Sequence, residues 1–130
     1  MAGTTTHPVA FRNTVADLVD SSINAGGPGL LQFRTSGTAD SRGTVAATLT
    51  FSATAFGAAS SGVITADTIT SDTSAAGGIV ATATLDTGAG TTIVHTTVAA
   101  SGDAINLSGG LTIGAGDTVS CSALTYAAMP

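Results

Sequence analysis

From residue 30 to the C-terminus the chain is written in a period of two. The run 44–52 is the plainest case: Val45, Ala47, Leu49 and Phe51 fall on one side of an extended chain, Thr48 and Thr50 on the other. Successive side chains of a strand point to opposite faces, so this spacing builds a sheet with two unlike faces. The Thr and Val content suits a pleated, half-buried surface.

Turn chemistry cuts the pattern into short pieces. Residues 36–43 form a polar loop that holds Asp40 and Arg42, and 53–62 is a small-residue crossing loop pinned by Phe56. Strands are expected at 30–35, 44–52 and 63–70, with a turn cluster at 71–78. Segments 79–86 and 91–99 flank Gly88-Ala89-Gly90, the strongest hairpin signal in the chain. Short strands at 105–108 and 111–113, separated by Gly109-Gly110, precede a closing strand at 118–126. Some seven or eight short strands at close spacing predict an all-β fold, a single β-sandwich or jelly-roll-like domain.

The N-terminal segment differs. Phe11, Val15, Leu18 and Val19 recur at helical spacing on one face, after Pro8 at a position suited to a first turn with Thr6 or His7 as cap. Gly26-Gly27-Pro28-Gly29 stops the helix, so it is expected over about 8–24. The domain plan is therefore an N-terminal arm and amphipathic helix over 1–28 and a β-sandwich domain over 29–130. The helix is expected to be an appendage, which either covers one end of the sandwich or docks on a partner.

Charge is the scarcest commodity of the 130 residues. Lys, Glu and Trp are absent, 3 Arg face 8 Asp, and charged residues make up 8%. A typical globular chain is about a quarter charged. With a mean hydropathy of +0.45, such a surface points to a protein covered by partners in an assembly. A net charge of −5 and only Arg12, Arg34 and Arg42 argue against nucleic acid, whose phosphates need a basic patch. No stretch reaches the ~20 apolar residues of a membrane helix. The start of the chain lacks the basic-then-apolar order of a secretory signal. Cys121 stands alone, so neither an internal disulfide nor a multi-cysteine metal site is expected.

Few constellations could carry chemistry. Leu85-Asp86-Thr87-Gly88-Ala89 contains the Asp-Thr-Gly string of aspartic proteases, in which two carboxylates paired across a dimer share a proton. The same residues make a hairpin turn by their own chemistry, and that is the favoured reading. Asp67, Asp72, Asp86, Asp103 and Asp117 lack calcium-loop spacing, and His7 and His95 have no ligand partner nearby in sequence. There is no Gly-x-Ser-x-Gly elbow. Cys121, alternating with Val119 and Ala123, reads as a small buried hydrophobe. The expectation is a non-enzymatic protein without cofactor or metal.

Several strings resemble a known family: His-Pro-Val-Ala-Phe-Arg-Asn at 7–13, Thr-Leu-Thr-Phe-Ser at 48–52, Ala-Phe-Gly-Ala-Ala at 55–59, Thr-Ser-Asp-Thr at 70–73, Ala-Gly-Asp-Thr-Val at 115–119 and Leu-Thr-Tyr at 124–126. Together they resemble small virion proteins of tailed bacteriophages and span most of the chain, although each string is of low complexity. The resemblance implies a capsid decoration, or cement, protein: a small β-rich homotrimer bound to the major capsid protein on the particle surface and assembled in the host cytoplasm. Its contacts are expected at His7, Pro8, Phe11, Arg12, Val15 and Leu18, with Asp40 and Arg42 of the polar loop as a second surface. The alternatives are a tail, tail-tip or head–tail module that binds a receptor, and, more remotely, a dimeric aspartic protease using Asp86.

Overall fold

The computed structural model describes residues 6–100, 105–107 and 110–128. They contain one helix, α1 (Val9–Ile23), followed by strands β1 (Leu30–Arg34), β2 (Val45–Phe51), β3 (Val63–Thr65), β4 (Ile69–Thr70), β5 (Gly78–Ile79), β6 (Thr82–Asp86), β7 (Thr92–Ala99), β8 (Ile105–Asn106), β9 (Thr112–Ile113) and β10 (Thr125–Ala127). Six strands form one sheet in the order β4-β2-β1-β6-β7-β8, and β10–β3 and β5–β9 form two-stranded ribbons. Every strand pair is antiparallel except β7–β8. The protein is thus mostly β, with one helix and a multi-strand antiparallel sheet.

Strands outnumber the seven or eight expected because long alternating runs divide between partners. Run 63–70 splits into β3, which pairs with β10, and β4, which pairs with β2. Between them the Ala66 N–H turns to the Leu124 carbonyl and the Asp67 N–H to the Ala55 carbonyl. Run 118–126 yields only β10 at its end, and Val119 makes an isolated bridge to Asp72. Cys121 therefore lies outside any strand. The expected 88–90 hairpin is present as β6 paired with β7. The arm 1–5, Asp103 and Gly109 lie outside the described residues.

The two faces of the sheet follow from register. Leu31 of β1 sits between Leu49 and Leu85, and Phe33 between Ala47 and Ala83. A large ring flanked by two methyls fills the layer without crowding. These side chains, with Phe51, Phe56 and Ile64, form one buried core. Each fully buried Leu or Phe contributes about 1.5–3 kcal/mol. The opposite face carries Gln32, Arg34, Thr48, Thr84 and Asp86, cross-strand neighbours by the same register.

Of the two places expected for the helix, on its own domain or on a partner, the structure shows the first. Ala16 and Ile23 of α1 are fully buried in the same core as the sheet. A Cβ on Gly29 would strike Ile23 Cγ2 and approach the Asp86 carbonyl oxygen to 2.8 Å, so only glycine lets the helix end meet the sheet this closely. Residue 28 marks where helix gives way to strand, and both sides share one core. The cap also differs from expectation. Pro8 itself is the N-cap, extended at ψ 153° and without a side-chain cap bond, and its carbonyl accepts from the Arg12 N–H.

Candidate functional site

Positions 13, 17, 20 and 24 of α1 form a second stripe at helical spacing, and this stripe is polar. Each side chain accepts a backbone N–H from the crossing loop. Ala55 N–H donates to Asn24 Oδ1 at 2.9 Å, Phe56 N–H to Asp20 Oδ1 at 3.0 Å, Ala59 N–H to Asp17 Oδ1 at 2.9 Å, and Gly62 N–H to Asn13 Oδ1 at 2.8 Å. Asn24 Nδ2 also donates to Asp20 Oδ1 at 2.9 Å, which ties two members together. The loop runs antiparallel to the helix, and the helix serves as its hydrogen-bonding edge. The loop bridges to residues 63–67 on its other side, as in Gly57 N–H to the Thr65 carbonyl at 3.0 Å, and the helix stripe takes N–H groups that would otherwise lack acceptors.

This latch fixes the rotation of the helix and decides which apolar side chains remain outside. Leu18 is 63% exposed, Phe11 50% and Val9 46%. Val15 is half-buried against the core. His7 lies over Phe11, with ring centroids 4.9 Å apart. The outer ridge of α1 thus carries Phe11, Val15 and Leu18 in a row, with Pro8 and His7 exposed at its start. Arg12 departs from this group. It turns inward along Gly62, and its Nε is buried without a hydrogen-bond partner.

The second expected surface, loop 36–43, divides in the same way. Asp40 is exposed at the tip of a tight turn closed by Thr38 N–H to the Ser41 carbonyl at 2.8 Å. Arg42 reaches back: its Nη1 lies 3.7 Å from Asp86 Oδ2 and donates to the Gly90 carbonyl. Asp86 is 0% exposed and Arg34 5%. Arg34 Nη2 lies 3.3 Å from Asp86 Oδ2, Nε donates to Thr84 Oγ1 at 3.0 Å, Nη1 donates to the Gly43 carbonyl at 2.8 Å, and Nη2 also donates to Gln32 Oε1. Thr84 Oγ1 in turn donates to Asp86 Oδ2 at 3.1 Å. Register shifts beside Arg34 and beside Asp86 leave Ala46 and Ile93 unpaired, and such bulges re-aim neighbouring side chains.

This lock pins loop 36–43 and the 87–91 turn over the polar sheet face. It lends no support to an acid protease, because Asp86 is 0% exposed behind Arg34, Arg42 and Thr84, where no carboxylate of a second copy reaches it. The other described carboxylates cap backbone. Asp72 accepts from Thr48 N–H at 2.8 Å and Ser74 N–H at 2.9 Å, Asp117 from Gly114 N–H at 2.8 Å, and Asp67 from Thr68 N–H at 2.8 Å. Asp40 alone among the described carboxylates projects without a bonded partner.

One cavity of about 360 Å³ is lined by Ala66, Asp67, Thr68, Ile69, Cys121, Ser122 and Ala123. Cys121 is half-buried, and its thiol donates to the Ala123 carbonyl at 3.3 Å. Burial raises its pKa above the ordinary thiol value, which disfavours the reactive thiolate. His95 lies in mid β7 opposite Thr84, and its Nε2 is buried without a partner. No helix among the described residues is long and apolar enough to cross a membrane.

Sequence reasoning placed Phe11, Val15, Leu18 and Val19 on one face of the helix, and the structure divides them: Val15 and Val19 pack against the core, while Phe11 and Leu18 are exposed. Sequence reasoning missed the Asn13/Asp17/Asp20/Asn24 latch, although the spacing was visible as a stripe. It also missed the meeting of Arg34 and Arg42 with Asp86, for which distant sequence positions carry no signal. Comparison with protein-family models, curated proteins and solved structures finds no match to this chain.

Proposed function

We propose that this chain is a non-enzymatic structural subunit of a bacteriophage particle, a homotrimer that decorates the capsid surface and stabilises it through protein–protein contacts. The observation that carries the reading is the contrast between a bare apolar ridge on α1 and a set of charges engaged inside the fold. A protein that works by chemistry keeps titratable groups accessible. Here the described carboxylates other than Asp40 cap backbone or, at Asp86, sit behind arginines, and large apolar side chains are left outside. Exposed apolar surface next to polar surroundings is the mark of a docking site. The short strings shared with tailed-phage virion proteins supply the particle.

In this reading the ribbons β3–β10 and β5–β9 act as the second layer of a sandwich against the six-stranded sheet. The ridge of α1 and the tip of loop 36–43, with Asp40 outermost, are the two surfaces that hold neighbours, whether copies of the chain or the major capsid protein. Assembly takes place in the host cytoplasm. A tail-tip module that stacks sugars has less to work with, because Phe33, Phe51 and Phe56 are buried.

The test is co-sedimentation of the purified full-length chain with expanded capsids that lack it. Saturable binding at a fixed ratio of chains to capsomers is the expected result. A chain that stays in the supernatant at every concentration removes the capsid from the proposal.

A further inference from the structure

The polar face of the sheet holds a side-chain amide gripped at both ends. Gln32 of β1 stands directly opposite Thr48 of β2, and its Nε2 donates to Thr48 Oγ1 at 3.1 Å. At the other end Gln32 Oε1 accepts from Arg34 Nη2. Arg34 is buried and fixed: Nε donates to Thr84 Oγ1 at 3.0 Å, Nη1 donates to the Gly43 carbonyl at 2.8 Å, and Nη2 lies 3.3 Å from Asp86 Oδ2. Thr48 is held from its own far side, where its N–H donates to Asp72 Oδ2 at 2.8 Å. Gln32 has a threonine on each side in the register, Thr48 and Thr84, and their hydroxyls differ. Thr84 Oγ1 gives its proton to Asp86 Oδ2, whereas Thr48 Oγ1 only accepts among the described residues, so its proton is uncommitted.

These are the parts of an acyl transfer. A hydroxyl lies beside an amide, and a fixed cation sits on the carbonyl oxygen, where negative charge develops in a tetrahedral intermediate. We propose that Thr48 and Gln32 react to form an intramolecular ester that cross-links β1 to β2. Thr48 Oγ1 attacks Gln32 Cδ, and the Oγ1–Cδ bond forms as the carbonyl electron pair moves onto Oε1 under Arg34. The hydroxyl proton passes to Nε2, its present hydrogen-bond partner. The Cδ–Nε2 bond then breaks, the carbonyl re-forms and ammonia leaves. No oxidant, reductant or second substrate enters. The amide has only to turn about its last side-chain torsion, which is soft, to present its carbon to the hydroxyl. The strand register supplies the proximity, and the half-burial of both side chains limits competition by water. The reaction happens once per chain and is independent of the capsid reading.

Intact-mass measurement tests this, on the purified full-length chain in denaturant and reductant, before and after prolonged incubation at neutral pH. The expected result is the loss of one ammonia per chain, about 17 Da from 12.4 kDa. Trypsin locates the loss. Cleavage after Arg12, Arg34 and Arg42 puts Gln32 in peptide 13–34 and Thr48 in peptide 43–130, and the ester keeps the two joined in reductant. Mild alkali is expected to part them and to leave a glutamate at position 32. Thr48→Val is expected to keep the full mass and Thr48→Ser to restore the loss, a contrast that a merely structural hydroxyl does not produce. A wild-type chain that keeps its full mass after incubation overturns the inference. So does a chain short of one ammonia whose two peptides separate, since an asparagine imide loses the same mass without a cross-link. Capsid co-sedimentation separates the two proposals. A chain of full mass that binds capsids keeps the function and refutes the ester. A cross-linked chain that ignores capsids does the reverse.

Discussion

The sheet face around Arg34 and the outer ridge of α1 place polar and apolar groups the opposite way round from each other and from the common rule. On the sheet, Arg34, Thr84 and Asp86 are buried, with Thr84 and Asp86 at 0% exposure. On the helix, Leu18 and Phe11 are half or more exposed. Arg34, Thr84 and Asp86 bond to one another, and Gly43 and Arg42 of loop 36–43 close over them, so this face belongs to the fold although Asp86 Oδ1 is left without a partner. On the ridge Val15 packs against the core, while Phe11, under the His7 ring, and Leu18 stand out from it.

That contrast can be broken at graded cost. Asp86→Ala removes the common partner of Arg34 and Arg42 and leaves a buried guanidinium uncompensated; a loss of about 3–5 kcal/mol is expected in urea unfolding. Replacing Arg34 and Asp86 together by apolar residues of similar volume should recover much of that loss, and a double variant no better than Asp86→Ala would show that the lock does more than neutralise charge. Ile23→Ala empties a fully buried site between helix and sheet, for about 2–5 kcal/mol. By the same argument a chain lacking residues 1–24 should show no cooperative unfolding transition, since it lacks both that side chain and the latch.

The smaller effects sharpen the comparison. Asp20→Ala leaves the Phe56 N–H without its acceptor, for about 1–3 kcal/mol, and hydrogen exchange should quicken first in loop 53–62. Leu18→Ser on the ridge should change stability by no more than about 0.5 kcal/mol. A large loss there would mean that the ridge is part of the core after all. Cys121 should react with a thiol reagent more slowly in the native protein than in urea, because burial holds its pKa up and keeps the thiol protonated; equal rates would place the thiol in open solvent.

The strands around 44–52 and the 82–99 hairpin were legible because their signals are local: a period of two, and a Gly-rich turn between matched runs. The helix was legible for the same reason. The contact candidates were only partly so. Arg12 and Arg42 look like surface cations in sequence, yet each turns inward, Arg12 along Gly62 and Arg42 toward Asp86 and Gly90.

By itself the sequence determined the helix, the strand at 45–51 and the hairpin of 82–99, since φ/ψ preference and side-chain period act between near neighbours, whereas the expected strands at 63–70 and 118–126 broke where partners changed. Only the tertiary structure decided which way the helix faces. Two apolar stripes compete on α1, and Ile23 with Ala16 goes inside because the Asn13–Asn24 stripe must reach the N–H groups of a loop some 30 to 50 residues away. The fate of Asp86 was decided in the same manner. An Asp-Thr-Gly string is compatible with an acid, a turn or a buried ion pair, and the choice fell to Arg34, 52 residues distant. Such pairings depend on which segments the fold brings together, and no local preference encodes them.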